Sequence, residues 1–143
     1  MVDFIAVFCS GVFFGVALCI TSVQHPAALE IGPAFAGRLF SPMYRRAAPL
    51  QIALAALGTL SGLGAWWRGS GGLWLPGALL LFAVIPFTLV FMMPVNNQLL
   101  APGRDSEALD TEPLLRRWGN LHAVRTALSG LAFLVQLAAL ASR

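Results

Sequence analysis

The stretch Leu73-Trp-Leu-Pro-Gly-Ala-Leu-Leu-Leu-Phe-Ala-Val-Ile-Pro-Phe-Thr-Leu-Val-Phe-Met-Met93 contains no charged side chain. Its length is close to the ~20 residues a helix needs to cross about 30 Å of hydrocarbon. Three further segments share this character: Phe4–Val23, Ala47–Trp67 and Leu121–Leu140. In lipid, only helices and closed barrels satisfy their own backbone groups, and these segments lack the period-2 alternation of barrel strands. The pattern predicts an all-α fold, a membrane four-helix bundle with antiparallel neighbours.

Composition points the same way. Of 143 residues, 58% are hydrophobic and 10% charged, with a mean hydropathy of +0.79. A soluble domain carries about 25% charged residues, so this chain has too few to cover a water-facing surface. Residues 1–143 read as a single integral-membrane, multi-pass domain with the lipid bilayer as partner. The first segment carries Asp3 and no basic residue ahead of its apolar run. The small-x-small site Ala34-Phe35-Ala36 lies well beyond that run. The segment is therefore expected to be a span and not a cleaved signal.

The net charge of +3 comes from arginine alone, since there is no lysine. Arginines flanking membrane helices set topology, and this reading displaces nucleic acid as a partner. Arg38, Arg45 and Arg46 fall between helices 1 and 2, and Arg104, Arg116 and Arg117 between helices 3 and 4. The other side has only Arg68 and Arg143. The positive-inside rule then places both larger loops in the cytoplasm and both termini outside, in the cytoplasmic membrane of a bacterium. Asp105, Glu107, Asp110 and Glu112 share the last loop.

Local signals give further expectations. Cys9 and Cys19 stand about 15 Å apart along a helix, too far to pair, and are expected as small buried residues. Ser10-Gly11 with Gly15, and Gly58 with Gly62 and Gly64, have the small-residue spacing of close helix packing, which is also compatible with an oligomer. The stretch Gln24–Arg46, broken by Pro26, Pro33 and Pro42, is expected to be a loop. It would hold an interfacial helix over Ala27–Phe40, with Phe35, Leu39 and Phe40 on the bilayer or capping the bundle. The short turn Arg68–Gly72 makes helices 2 and 3 antiparallel. Trp66, Trp67 and Trp74 beside it read as an aromatic belt. Pro86 is expected to bend helix 3. Thr111-Glu112-Pro113 reads as a helix start with Thr111 as its cap.

Polar side chains crowd one end. The run opening the last apolar segment holds Trp118, Asn120, His122, Arg125, Thr126 and Ser129. At about 100° per residue, Trp118, His122, Arg125 and Ser129 share one narrow stripe, with Thr126 beside it. An arginine within a bilayer helix costs roughly 2.5–3.5 kcal/mol on insertion scales, so it needs a partner or a use. The four-helix topology brings His25, at the end of helix 1, and Asn96 and Asn97, at the end of helix 3, to that same side. Both histidines and every asparagine of the chain therefore share one membrane face.

Histidine is a base or acid near neutral pH. Arginine and asparagine stabilise a developing oxyanion in a dry pocket. Apolar side chains would line a slot for a flat, apolar small-molecule substrate, open toward the membrane where such compounds dissolve. Blander roles stand beside these. His25 would end helix 1, Asn96 and Asn97 would cap helix 3, Arg125 would snorkel, and Tyr44 and Trp118 would anchor at the interface. A His-ligated metal is the rival chemistry. Against it, the apolar segments hold no carboxylate, and Arg125 would repel a cation.

His25-Pro26, Pro94-x-Asn96-x-x-Leu99 and Trp118-x-x-x-His122-x-x-Arg125-Thr126 together resemble the anthrone oxygenase-like family, in order and spacing along nearly the whole chain. The resemblance implies O2-dependent oxidation of an anthrone or a similar phenolic carbon acid to a quinone, with O2 as co-substrate and no bound cofactor. On that reading His122 is the base, Arg125 holds the enolate oxygen and Asn96 orients one of them. His25 serves as a second acid/base or closes the pocket, while Trp118, Asn97, Thr126 and Tyr44 contact substrate. Two other classes stay open: a small-molecule carrier using the same pocket without chemistry, and an accessory membrane subunit that docks through helix 4.

Overall fold

The computed structural model describes residues 1–142. Among them the long elements are all helices: α1 Val2–Ile31, α2 Pro33–Trp67, α3 Trp74–Leu99 and α4 Thr111–Ala141. Each is long and apolar enough to cross a membrane, and the chain is an all-α integral membrane protein.

The helices run well past the apolar segments. Among the described residues there is no loop over Gln24–Arg46. α1 continues through Pro26 to Ile31, Gly32 reverses the chain with φ 142°, and α2 starts at Pro33. That φ suits a residue without a Cβ, and proline is tolerated in the first turn of a helix, where its missing N–H would have no partner. Phe40, expected on the bilayer or as a cap, lies in the core at 2% exposure, whereas Phe35 remains exposed.

α1 and α3 share an irregularity. Each contains one wide turn, Ile20–Gln24 in α1 and Thr88–Met92 in α3. The His25 amide donates to the Ile20 carbonyl and the Met93 amide to the Thr88 carbonyl, each reaching five residues back. A proline follows at once in both cases, Pro26 and Pro94. Proline has no N–H, and its ring crowds the carbonyl four residues earlier. Widening the preceding turn shifts the hydrogen-bond register just where that conflict arises. Such single wide turns are frequent at functional sites.

The core forms three layers along the bundle. One end holds Ala6, Ala65, Trp74 and Ala139, and the middle is built on Phe13, Leu54, Leu81 and Val84. The other end gathers Ile20, Phe40, Met92, Val95, Leu115 and Trp118. Trp74 is fully buried, so the expected belt there reduces to Trp66 and Trp67. Of the cysteines, Cys9 is buried as expected, but Cys19 is exposed. Lipid is as apolar as leucine, so helices associate here through close packing and not through the hydrophobic effect. A methyl group on Gly58 would stand 2.6 Å from Leu81 Cδ2, and one on Gly11 2.9 Å from Phe133. Gly15 and Gly64 meet no neighbour.

The connection before α4 is tied by charge. Arg104 Nη2 donates to Asp110 Oδ1 at 2.7 Å and to Thr111 Oγ1 at 3.2 Å. The capping position is Asp110, not Thr111, whose hydroxyl is occupied by this contact. Arg38 pairs with Glu107 at 3.8 Å and Arg116 with Glu112 at 2.6 Å. Exposed pairs of this kind contribute about 0–1 kcal/mol each.

Candidate functional site

α4 carries the polar stripe into the bundle. Trp118, His122, Thr126 and Ser129 are buried, Arg125 is half-buried, and Asn120 is exposed. The register is that of an uninterrupted α-helix, so residues four apart stack over one another. The Trp118 and His122 rings lie 4.6 Å apart at an interplanar angle of 28°.

In front of this stripe lies a cavity of about 310 Å³. α2 supplies Tyr44, Ala47, Ala48, Gln51, Ile52 and Ala56, and α3 supplies Ile85, Thr88, Leu89, Met92 and Asn96. Phe13 and Ile20 of α1, with Trp118, His122 and Arg125 of α4, form the inner wall. Ile52 is 69% exposed and Leu89 58% exposed. These two residues belong to the cavity and to the outer surface alike, so the cavity opens sideways between α2 and α3.

Three groups of contacts fix the wall. Trp118 Nε1 donates to Asn96 Oδ1 at 2.9 Å, joining α4 to α3. His122 Nδ1 stands 2.8 Å from Thr21 Oγ1, which stands 2.8 Å from Thr126 Oγ1. The Thr126 hydroxyl also reaches the His122 carbonyl at 3.0 Å and the Ala17 carbonyl at 3.3 Å. Finally, Arg125 Nη2 donates to Gln51 Oε1, and its guanidinium carbon lies 5.0 Å from the centre of the Phe13 ring. Arg125 makes no ion pair among the described residues. Its partners are a neutral amide and a ring face, which offset only part of the cost of holding a cation out of water.

The predicted residues divide into two sets. His122, Arg125, Asn96, Trp118 and Tyr44 share the cavity wall. His25, Thr126 and Asn97 do not. The His25 ring packs behind Trp118 at 5.1 Å, with its Nε2 buried and unbonded within the protein. Thr126 lies behind His122. Asn97 is exposed. Both asparagines sit inside α3, not after it, which is why one turns inward and its neighbour outward.

Sequence reasoning missed Gln51, Thr21 and Gly119. Gln51 is the only amide in Ala47–Trp67 and is 3% exposed, so its isolation among apolar residues was a usable signal. Gly119 leaves room for His25, since a methyl group there would stand 2.7 Å from His25 Nε2. Thr21 had no signal, because a lone threonine in an apolar helix is ordinary. Among the described residues, no group of three or more His, Cys, Asp or Glu side chains is arranged to hold a metal ion.

Residues 40–135 match the model of the family described as Anthrone oxygenase. The matched span holds every α2, α3 and α4 residue of the cavity wall and leaves out Phe13, Ile20, Thr21 and His25. No curated protein and no solved structure matches the chain.

Proposed function

Because this chain belongs to the anthrone oxygenase family, we propose that it catalyses the O2-dependent oxidation of an apolar phenolic carbon acid, an anthrone or a close relative, in the plane of a bacterial cytoplasmic membrane. The observation that carries this reading is the meeting of His122 and Arg125 on one wall of an apolar cavity that opens between α2 and α3. A bilayer covers that flank, and a membrane-dissolved substrate enters through it.

The chemistry follows from the residue types. His122 takes a proton from the activated CH2 carbon, leaving an enolate whose oxygen carries the negative charge. Arg125, with no carboxylate beside it, supplies the compensating charge in a site of low dielectric. The electron-rich carbon reacts with O2 and forms a C–O bond. Loss of water then gives the C=O group. One oxygen atom ends in the quinone and the other in water, so the carbon loses four electrons and O2 gains them. No step calls for a bound cofactor. Asn96 and Trp118, bonded to each other, form one side of the slot, and Tyr44 forms another. His25 closes the pocket behind Trp118.

The test is O2 uptake by the purified protein with an anthrone, together with its metal content, wild type against His122→Ala. We expect metal-free uptake at a ratio of about one O2 per anthrone, reduced about 10²–10⁴-fold in the variant. Full turnover by His122→Ala would remove the base assignment. Stoichiometric metal would replace the scheme with a metal-based one. No uptake with any anthrone would leave a binding or carrier protein.

A further inference from the structure

Only one polarisation of the His122–Thr21–Thr126 chain serves all four of its contacts. Each threonine hydroxyl has a single proton to give. Thr126 Oγ1 lies 3.0 Å from the His122 carbonyl and 3.3 Å from the Ala17 carbonyl, and both carbonyls can only accept. Serving these two contacts takes the Thr126 proton. The 2.8 Å contact between the two threonines then requires Thr21 to donate and Thr126 to accept. With its own proton spent, Thr21 can only accept at its 2.8 Å contact with His122 Nδ1. In this polarisation that nitrogen carries a proton.

We propose that Thr21 is a positioning residue that holds His122 as the neutral tautomer protonated on Nδ1, leaving Nε2 as the basic nitrogen for the cavity. The assignment rests on the proposed role of His122 as base. It gives the wide turn of α1 a purpose, because Thr21 lies within Ile20–Gln24. When Nε2 takes up a proton, the ring becomes a cation whose Nδ1–H bond is already made. The hydroxyl chain relays that charge to the negative ends of two carbonyl dipoles. A base oriented in this way needs no buried carboxylate, a group that is expensive inside a bilayer.

The test is ring 15N NMR of the intact protein in lipid nanodiscs without substrate, comparing wild type, Thr21→Val and Thr21→Ser. The chain has two histidines, and His25→Gln assigns the spectrum. We expect His122 of the wild type to show Nδ1 protonated and Nε2 unprotonated. Thr21→Val, nearly isosteric, should populate the other tautomer, and Thr21→Ser should restore the wild-type pattern. On an anthrone, kcat of Thr21→Val should fall about tenfold, part of the 10²–10⁴-fold a positioned base supplies. Its KM should move by less than about twofold, as expected when only the chemical step is affected. A wild-type His122 protonated on Nε2, or an unchanged spectrum in Thr21→Val, would overturn the proposal. The spectra need no turnover, so a wild type inert toward anthrones would sink the oxidation reading and leave the tautomer result to stand or fall separately.

Discussion

At Gly62, α2 lies so close to α3 that a methyl group would stand 3.0 Å from the Ala78 side chain. At Ala48, the same two helices enclose a cavity. Both stretches of α2 are rich in small residues, yet one packs shut and the other stays open. α3 makes the difference. Opposite Gly58 and Gly62 it is a regular helix that inserts Leu81 and Ala78. Toward Asn96 it carries Pro86, the wide turn Thr88–Met92 and Pro94. Small residues permit close approach; whether they receive it depends on the partner.

Polar side chains divide in the same way. At the closed end the Gln136 side chain is fully buried, and its amide finds no hydrogen-bond partner within the protein. Gly62 and Gly77 make room for it. Gln51, at the open end, accepts a hydrogen bond from Arg125 at the cavity wall. One amide fills space between helices, and the other orients a charged group.

If that division is right, substitutions at the two ends should damage different properties. The largest effect is expected at the open end. Arg125→Lys keeps the charge but loses the planar fork held by Gln51, and turnover should fall about 10²–10³-fold, as when an oxyanion donor is removed. Thermal stability in detergent should change little, and a matched loss of folded protein would show that Arg125 is structural. Next comes Gly77→Val at the closed end. Its Cβ would stand 2.7 Å from Gln136 Cγ, and overpacking of this kind costs about 1–3 kcal/mol. Denaturant titration should record that loss while the folded fraction keeps its turnover. The smallest effect is expected from Ala56→Leu on the cavity wall, with KM for a broad substrate rising a few-fold, roughly the 1 kcal/mol or so of a crowded apolar pocket. An unchanged KM across substrates of increasing width would place the binding route elsewhere.

Much of the bundle was legible in the chain. Four apolar segments, no lysine and a polar stripe at helical spacing were enough for four antiparallel helices with a polar end. The α4 stripe was read correctly because α4 is a continuous helix, so angular spacing held from Trp118 to Ser129. The helix ends were misread at Pro26, Pro42 and Pro94. These prolines look like punctuation, but Pro26 and Pro94 follow wide turns and Pro42 lies within α2, so the helices run on through all three. Trp74 was misread because tryptophan beside a turn usually marks an interface, whereas here the small residues Ala6, Ala65 and Ala139 provide a buried seat. Gln51 and Thr21 meet α4 only through tertiary packing, and no local pattern announces a contact between helices that distant in sequence.

The two wide turns also set an angular phase. A residue inserted into a helix turns everything beyond it by about 100° relative to what came before. α1 and α3 are therefore each two helical wheels joined out of register, with the joint beside the cavity and the following proline just past it. Removing one residue at Val23 would leave every functional group in the chain and carry His25 and Pro26 to another face of the bundle. Composition would be almost untouched while the wall behind Trp118 lost its histidine. The spacing of this site is written partly as a residue count, which a chain can lose without changing a single polar side chain.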